Sequence, residues 1–171
     1  MTRRVVLTGT PGTGKTTVSD LVAERTGLDA IHLNDAVADE KLYTERDVDR
    51  DSLVVDVDAA NEWLGDWEGV LDSHLAHLFD ADVAVVLRCH PEQLATRLRE
   101  RGEEEAKIAE NAESEALDVI LAETVERFGE DAVYEIDTTD RTPEAVAEDV
   151  IAAVEGEMDP RAGTVNFIDY L

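Results

Sequence analysis

Residues 9–17, Gly-Thr-Pro-Gly-Thr-Gly-Lys-Thr-Thr, constrain what this chain can fold into more than any other stretch. They fit the pattern G-x-x-x-x-G-K-[ST], with Gly9, Gly14, Lys15 and Thr16 at the fixed positions. Each residue type has a physical task in such a loop. Glycine adopts backbone conformations that a Cβ forbids, so successive N–H groups can converge on one anion. The lysine adds a positive charge on a flexible stem, and the hydroxyl after it can ligate Mg²⁺. The flanks fit as well. Residues 4–8, Arg-Val-Val-Leu-Thr, form a short β-branched run that reads as a buried strand. Beyond the loop, Val18, Leu21, Val22 and the stem of Arg25 recur at helical spacing, and Gly27 is placed to end that helix. Strand, glycine loop, helix is the order that aims backbone N–H groups and a helix N-terminus at phosphate. A glycine-rich turn with a coincidental lysine would not need that order. The stretch predicts a nucleoside triphosphate site.

The 171 residues suit one domain with a substantial core. The N-terminus lacks the apolar segment of a signal peptide, and no run is long and apolar enough to span a membrane. The one cysteine, Cys89, rules out an intrachain disulfide and fits a reducing cytoplasm; following a strand-like run, it reads as a buried inert thiol. The formal charge is −26, and only Lys15, Lys41 and Lys107 are lysines. Such a chain is repelled by nucleic acid and by anionic membrane, so neither is an expected partner. The carboxylates are spread through the helices, as suits a cytoplasm at molar salt, where the Debye length falls to about 3 Å.

Further strands are expected at 30–33, 69–74, 83–87 and 132–136, with a shorter apolar run at 53–57. Asn34 and Asp35 can cap a helix over 36–42, and 43–52 is polar with no apolar period. Asp58 opens a helix carrying Trp63, Leu64 and Trp67. Pro91 starts another that Gly102 stops, followed by a charged joint at 103–107. Residues 108–128 read as one long amphipathic helix, and Pro143 opens the last, ending near Val154. Strands alternating with helices predict an α/β fold, a five-stranded, mainly parallel sheet flanked by helices, with the ligand at the carboxyl ends of the strands. Asp35, Asp72, His74, Arg88 and Asp137 fall at or just past strand ends, on the rim that carries the loop.

Asp72 ends an apolar strand, where such proteins hold Mg²⁺, though a helix cap or turn would also account for it. His74 is either a site residue or a surface histidine. Arg88, Arg97, Arg99 and Arg101 cluster after a strand in a very acidic chain, which calls for an anionic partner or for salt bridges to nearby glutamates. Transfer between phosphates needs no strong base, because the acceptor is already ionised; positioning and neutralisation dominate.

Residues 8–17, Asp35, the Asp72-Ser73-His74 triplet, Val86-Leu87-Arg88, and Arg97-Leu-Arg-Glu-Arg-Gly102 with Lys107 and Asn111 occur in that order. In this the chain resembles the small adenylate kinases of archaea and eukaryotic nuclei, the isoenzyme-six type of P-loop nucleoside monophosphate kinases, over about residues 4–151. Ser73 and Glu103 stand where that pattern has aromatic residues. The resemblance implies that ATP and Mg²⁺ bind at Gly12, Gly14, Lys15, Thr16 and Thr17, with Asp72 beside the metal. It implies a monophosphate-binding region at about 32–55 and a short lid at about 100–110 with Arg101 on ATP. Asp35, Arg88 and Arg97 are the substrate-binding candidates; Lys15, Asp72, His74 and Arg101 are the catalytic ones. It further implies transfer from ATP to AMP, ATP hydrolysis, and association with the small-subunit ribosomal protein uS11 and pre-ribosomal particles during late 16S rRNA maturation. The tail, about 157–171, lies outside the resemblance; its Phe167, Ile168, Tyr170 and Leu171 predict docking on the body or on a partner.

Three readings stay open: a nucleoside monophosphate kinase, an ATP-driven assembly switch with incidental kinase activity, and a kinase of another small metabolite. The charge carries its own prediction. Dilution from molar into millimolar salt should lower the melting temperature, because self-repulsion is then unscreened, and Mg·ATP should partly restore it. Thermal melts across a salt series check this; a melting temperature independent of salt would contradict it.

Overall fold

Strand β1, Arg4–Thr8, leads into the glycine loop and then helix α1, Lys15–Thr26. The computed structural model describes residues 4–47 and 52–171. β1 lies at the middle of a five-stranded sheet with β2, Ala30–His32, β5, Gly69–Asp72, β6, Val83–Arg88, and β7, Val133–Asp137. The order is β2-β5-β1-β6-β7 and every pairing is parallel. Both faces are covered, which is why these strands read as continuous apolar runs. Alternate residues serve opposite faces. Val5 and Leu7 pack with Val18 and Val22 of α1 and with Val146 and Val150 of α7, Pro143–Val154. Val6 packs on the other side with Leu33, Val37 and Phe79. Because β1 has β5 on one side and β6 on the other, the connections diverge at its carboxyl end. A crevice opens there, at the glycine loop.

Several boundaries differ from those expected. Helix α2, Leu33–Asp39, starts at Leu33, with His32 at its N-cap, so Asn34 and Asp35 lie inside it and do not cap it. The polar stretch after it holds an antiparallel pair, β3, Tyr43–Asp47, and β4, Ser52–Val55; residues 48–51 lie outside the described residues. Tertiary packing overrides the missing period: Tyr43, Leu53 and Val55 lean on the core around Leu33 and Val37. Helix α3, Val57–Leu64, is capped by Asp56, whose carboxylate accepts from the Ala59 N–H at 3.1 Å, and Trp67 lies beyond its end. β5 stops at Asp72, so His74 belongs to the following turn and not to the strand. Helix α4, Pro91–Glu100, follows expectation.

The expected long helix at 108–128 is two helices, α5, Glu105–Ala116, and α6, Val119–Phe128. Asp118 breaks it, with φ of 57° in the left-handed region that aspartate tolerates better than most residues. The break delivers the Asp118 carboxylate to the buried Arg88 guanidinium, 2.5 Å from Nη2. The tail docks on the body. Arg161 donates its N–H to the Val133 carbonyl and accepts from the Glu135 N–H, both at 2.9 Å, lengthening the sheet beyond β7. Phe167 closes over Arg88 and meets His90 edge-on, with ring centroids 5.4 Å apart. Among the described residues, no helix is long and apolar enough to cross a membrane.

Candidate active site

The loop curls at the carboxyl end of β1. Gly9 has φ of 147°, and a Cβ there would sit 2.6 Å from the Leu87 carbonyl oxygen, so only glycine lets the loop approach β6 so closely. Gly14 has φ of 94° and forms the N-cap of α1, whose first turn carries no acidic residue. An anion placed there meets free N–H groups and the positive end of the helix dipole. Lys15 folds back over the loop. Its Nζ donates to the carbonyls of Gly9 at 2.8 Å and Thr10 at 3.1 Å. Burial lowers its pKa to about 7; Asp72 pulls the other way and Arg101 adds to the lowering.

A cleft of about 1350 Å³ opens over the loop. It brings together Gly12, Gly14, Lys15, Thr16 and Thr17 with Asp72, His74, Arg97 and Arg101. The far wall is built from residues 100–104 and α5, including Lys107 and Asn111. Asp72 is buried, and its Oδ2 accepts from the Ser19 hydroxyl at 2.6 Å and meets His32 Nδ1 in a short contact. The other His32 nitrogen lies 2.9 Å from Asp20 Oδ1. Burial opposes charge on His32, but the two carboxylates outweigh it and raise its pKa. The Thr16 hydroxyl and the Asp72 carboxylate are hard oxygen donors on one cleft. That set fits Mg²⁺, which takes one or two protein oxygens and fills its shell with water and phosphate.

His74 is half-buried, and burial, helped by the nearby Lys15, lowers its pKa to about 4. It is neutral near pH 7 and can accept a hydrogen bond from water. Arg97 lines the cleft and donates from Nη1 to the Gly12 carbonyl at 3.2 Å. Arg101 lines it as well, whereas Arg99 points outward and grips Glu105 with two bonds of 2.7 and 3.0 Å. Two candidates lie elsewhere. Asp35 is exposed on α2 and outside the cleft lining, where its neighbour Asn34 takes part. Arg88 is only 1% exposed and outside the lining, its guanidinium committed to Glu115, Asp118 and Glu135. A charge so fully paired and buried serves structure before it can serve a ligand.

Other residues gain roles that no motif announced. Ser19 and His32 hold Asp72, while His77, buried, meets Thr8 Oγ1 at 2.8 Å through Nδ1. Ser73, in the place of an aromatic, donates to Asn34 Oδ1 at 2.8 Å and ties β5 to α2. Glu115 reaches the loop from α5. Only helical spacing for Ser19, and the strand-end position for His32, could have pointed to them. Cys89 is buried, and burial pushes its thiol up to about 11, the inert state expected of it.

Residues 5–118 match the family described as AAA domain. A protein of Halobacterium salinarum described as "Putative adenylate kinase" is 56% identical over 170 residues, covering 98% of this chain and 99% of its own. One with the same description from Methanocaldococcus jannaschii is 40% identical over 177 residues, covering 98% and 97%. Among solved structures, a shikimate kinase from Acinetobacter baumannii matches with a TM-score of 0.65 at 15% identity, over 92% of this chain and 95% of that one. A gluconokinase from Sinorhizobium meliloti matches at 0.57 and 18%, over 90% and 92%. At those identities the structures share the fold alone, an α/β sheet with a phosphate loop at the end of its central strand. The chain belongs to the AAA-domain family and, within it, to the small adenylate kinase family of the archaea.

Proposed function

We propose that the chain transfers the γ-phosphoryl group of ATP to a nucleoside monophosphate, AMP in the first instance. One observation carries the reading. A single cleft of about 1350 Å³ joins the loop, Asp72, Arg97 and Arg101. Sites for one small ligand occupy about 300–1,000 Å³, so this cleft has room for a donor and an acceptor together. The loop N–H groups and Lys15 would hold the donor phosphates. Thr16 and Asp72 would hold Mg²⁺, which supplies neutralisation of phosphate charge. Arg97 and Arg101 would add charge from α4 and the lid, and the acceptor would lie on the Asn34 side of the loop. Positioning and neutralisation suffice for this chemistry, since the acceptor phosphate arrives ionised. The scarcity of lysine and the charge of −26 fit a cytoplasm at high salt as the working environment.

His74 favours a second activity on the same cleft. A neutral imidazole that accepts a hydrogen bond can orient water toward the γ-phosphate, giving ATP hydrolysis. In that role the protein would act as a switch in late small-subunit maturation, bound to uS11, as the family resemblance implies. His74→Ala should lower hydrolysis about 10²-fold and spare AMP-dependent transfer. Both rates, measured on one preparation in molar salt across a panel of nucleoside monophosphates and small metabolites, decide it. Transfer to no nucleoside monophosphate would overturn the first reading, and hydrolysis untouched by His74→Ala the second.

Lys15 adds a pH signature. With its pKa near 7 it is largely neutral at pH 8, and the fold favours that form, so this group's contribution to stability increases from about pH 7 toward 10.5. Triphosphate beside it restores the charge. ATP binding at pH 8 should therefore take up close to one proton, read by calorimetry in buffers of different ionisation enthalpy. Heats that do not depend on the buffer would contradict the assignment.

A further inference from the structure

Thr10 is the second residue of the loop, and three side-chain contacts converge on it. Its carbonyl accepts from Lys15 Nζ at 3.1 Å and from the Thr13 hydroxyl at 2.9 Å. Its own hydroxyl donates to Glu115 Oε1 at 2.9 Å. Glu115 is 3% exposed and sits on α5, far from the loop in sequence. Its other oxygen accepts from the Cys89 N–H at 2.8 Å and from Arg88 Nε at 3.2 Å. A carboxylate so placed is stiff: one oxygen is fixed to the end of β6, and the other reaches the loop.

We propose that Glu115 is a positioning residue for Lys15, acting through Thr10. Glu115 sets where the Thr10 peptide lies, and that peptide sets where Lys15 Nζ rests before any nucleotide arrives. A buried glutamate beside a phosphate site needs such a reason, because its charge repels the ligand. Arg88 weakens that repulsion. It faces Glu115, Asp118 and Glu135, so it offsets part of the Glu115 charge from behind while the other carboxylate oxygen serves the loop. The same helix carries Lys107 and Asn111 into the cleft, so one rigid element sets the loop on one side and the lid wall on the other.

The role is one of preparation. Once ATP is bound, its phosphates orient Lys15 themselves, so loss of the anchor should appear in binding and leave turnover nearly intact. The inference rests on the reading of the loop as an ATP site. Thr10→Val keeps the shape of the side chain, removes the donor, and leaves the Arg88 cluster in place. It should raise the Kd and KM for ATP about tenfold, with kcat within about threefold and the KM for AMP unchanged. Thr10→Ser should recover most of the lost affinity. Glu115→Gln can still accept at Cys89 and meet the Thr10 hydroxyl with its amide, so it should fall between wild type and Thr10→Val. Thermal melts accompany each variant. A melting temperature that falls while the Kd for ATP stays put would reduce Glu115 to a structural residue and overturn the inference. Equal weakening in Thr10→Val and Thr10→Ser would do the same. Wild-type protein that binds no ATP would overturn the ATP reading itself, a result distinct from either.

Discussion

The buried guanidinium of Arg88 is the contact on which most of the functional end of this molecule depends. It lies at the carboxyl end of β6, 2.6 Å from Glu135, 3.2 Å from Glu115 and 2.5 Å from Asp118. Three carboxylates around one cation leave the cluster with excess negative charge in a desolvated place. Backbone groups satisfy the remainder: Glu115 also accepts from Cys89, and Glu135 from Thr164 and Val165. Removing Arg88 would cost about 3–5 kcal/mol, because Glu115 and Glu135 would then be left buried without their cation. Each carboxylate brings a different element to the same point. Glu115 brings α5 and through it the loop, Asp118 sets the break before α6, and Glu135 holds the tail.

The cleft itself is arranged around groups kept short of full charge. Burial holds Lys15 near neutrality with its ammonium nitrogen parked on loop carbonyls, and holds His74 neutral across the physiological range. Asp72 is buried too, its Oδ2 shared by Ser19 and His32. An anionic ligand entering this site regains for the protein the electrostatic partner that burial withholds from Lys15. Affinity and protonation are therefore linked.

Much of this was legible before any coordinates. The loop, the strand before it and the helix after it follow from one nine-residue pattern, and the apolar runs mark the sheet strands well. What escaped sequence reading has a physical cause in each case. The β3–β4 pair lacks an apolar period because only Tyr43, Leu53 and Val55 need to touch the core. The helix at 108–128 is amphipathic throughout, and nothing local reveals that a distant arginine needs the Asp118 carboxylate. Arg88 followed a strand in an acidic chain and so read as a substrate contact. Its partners, Glu115 and Glu135, lie 27 and 47 residues away and look like two more acidic residues among many. Arg99 and Arg101 could be told apart from helix geometry, since two positions apart they face different ways, and the structure turns Arg101 to the cleft.

The central claim is that donor and acceptor nucleotides occupy one continuous cleft on either side of the loop. The most direct measurement is equilibrium binding of two adenosines joined by five phosphates, compared with ATP and AMP separately. Linking the ligands makes the second contact intramolecular, so the joined molecule should bind at least about 10²-fold more tightly than ATP. It should also block the binding of both ATP and AMP. Affinity no better than that of ATP, with AMP still able to bind alongside, would contradict the account.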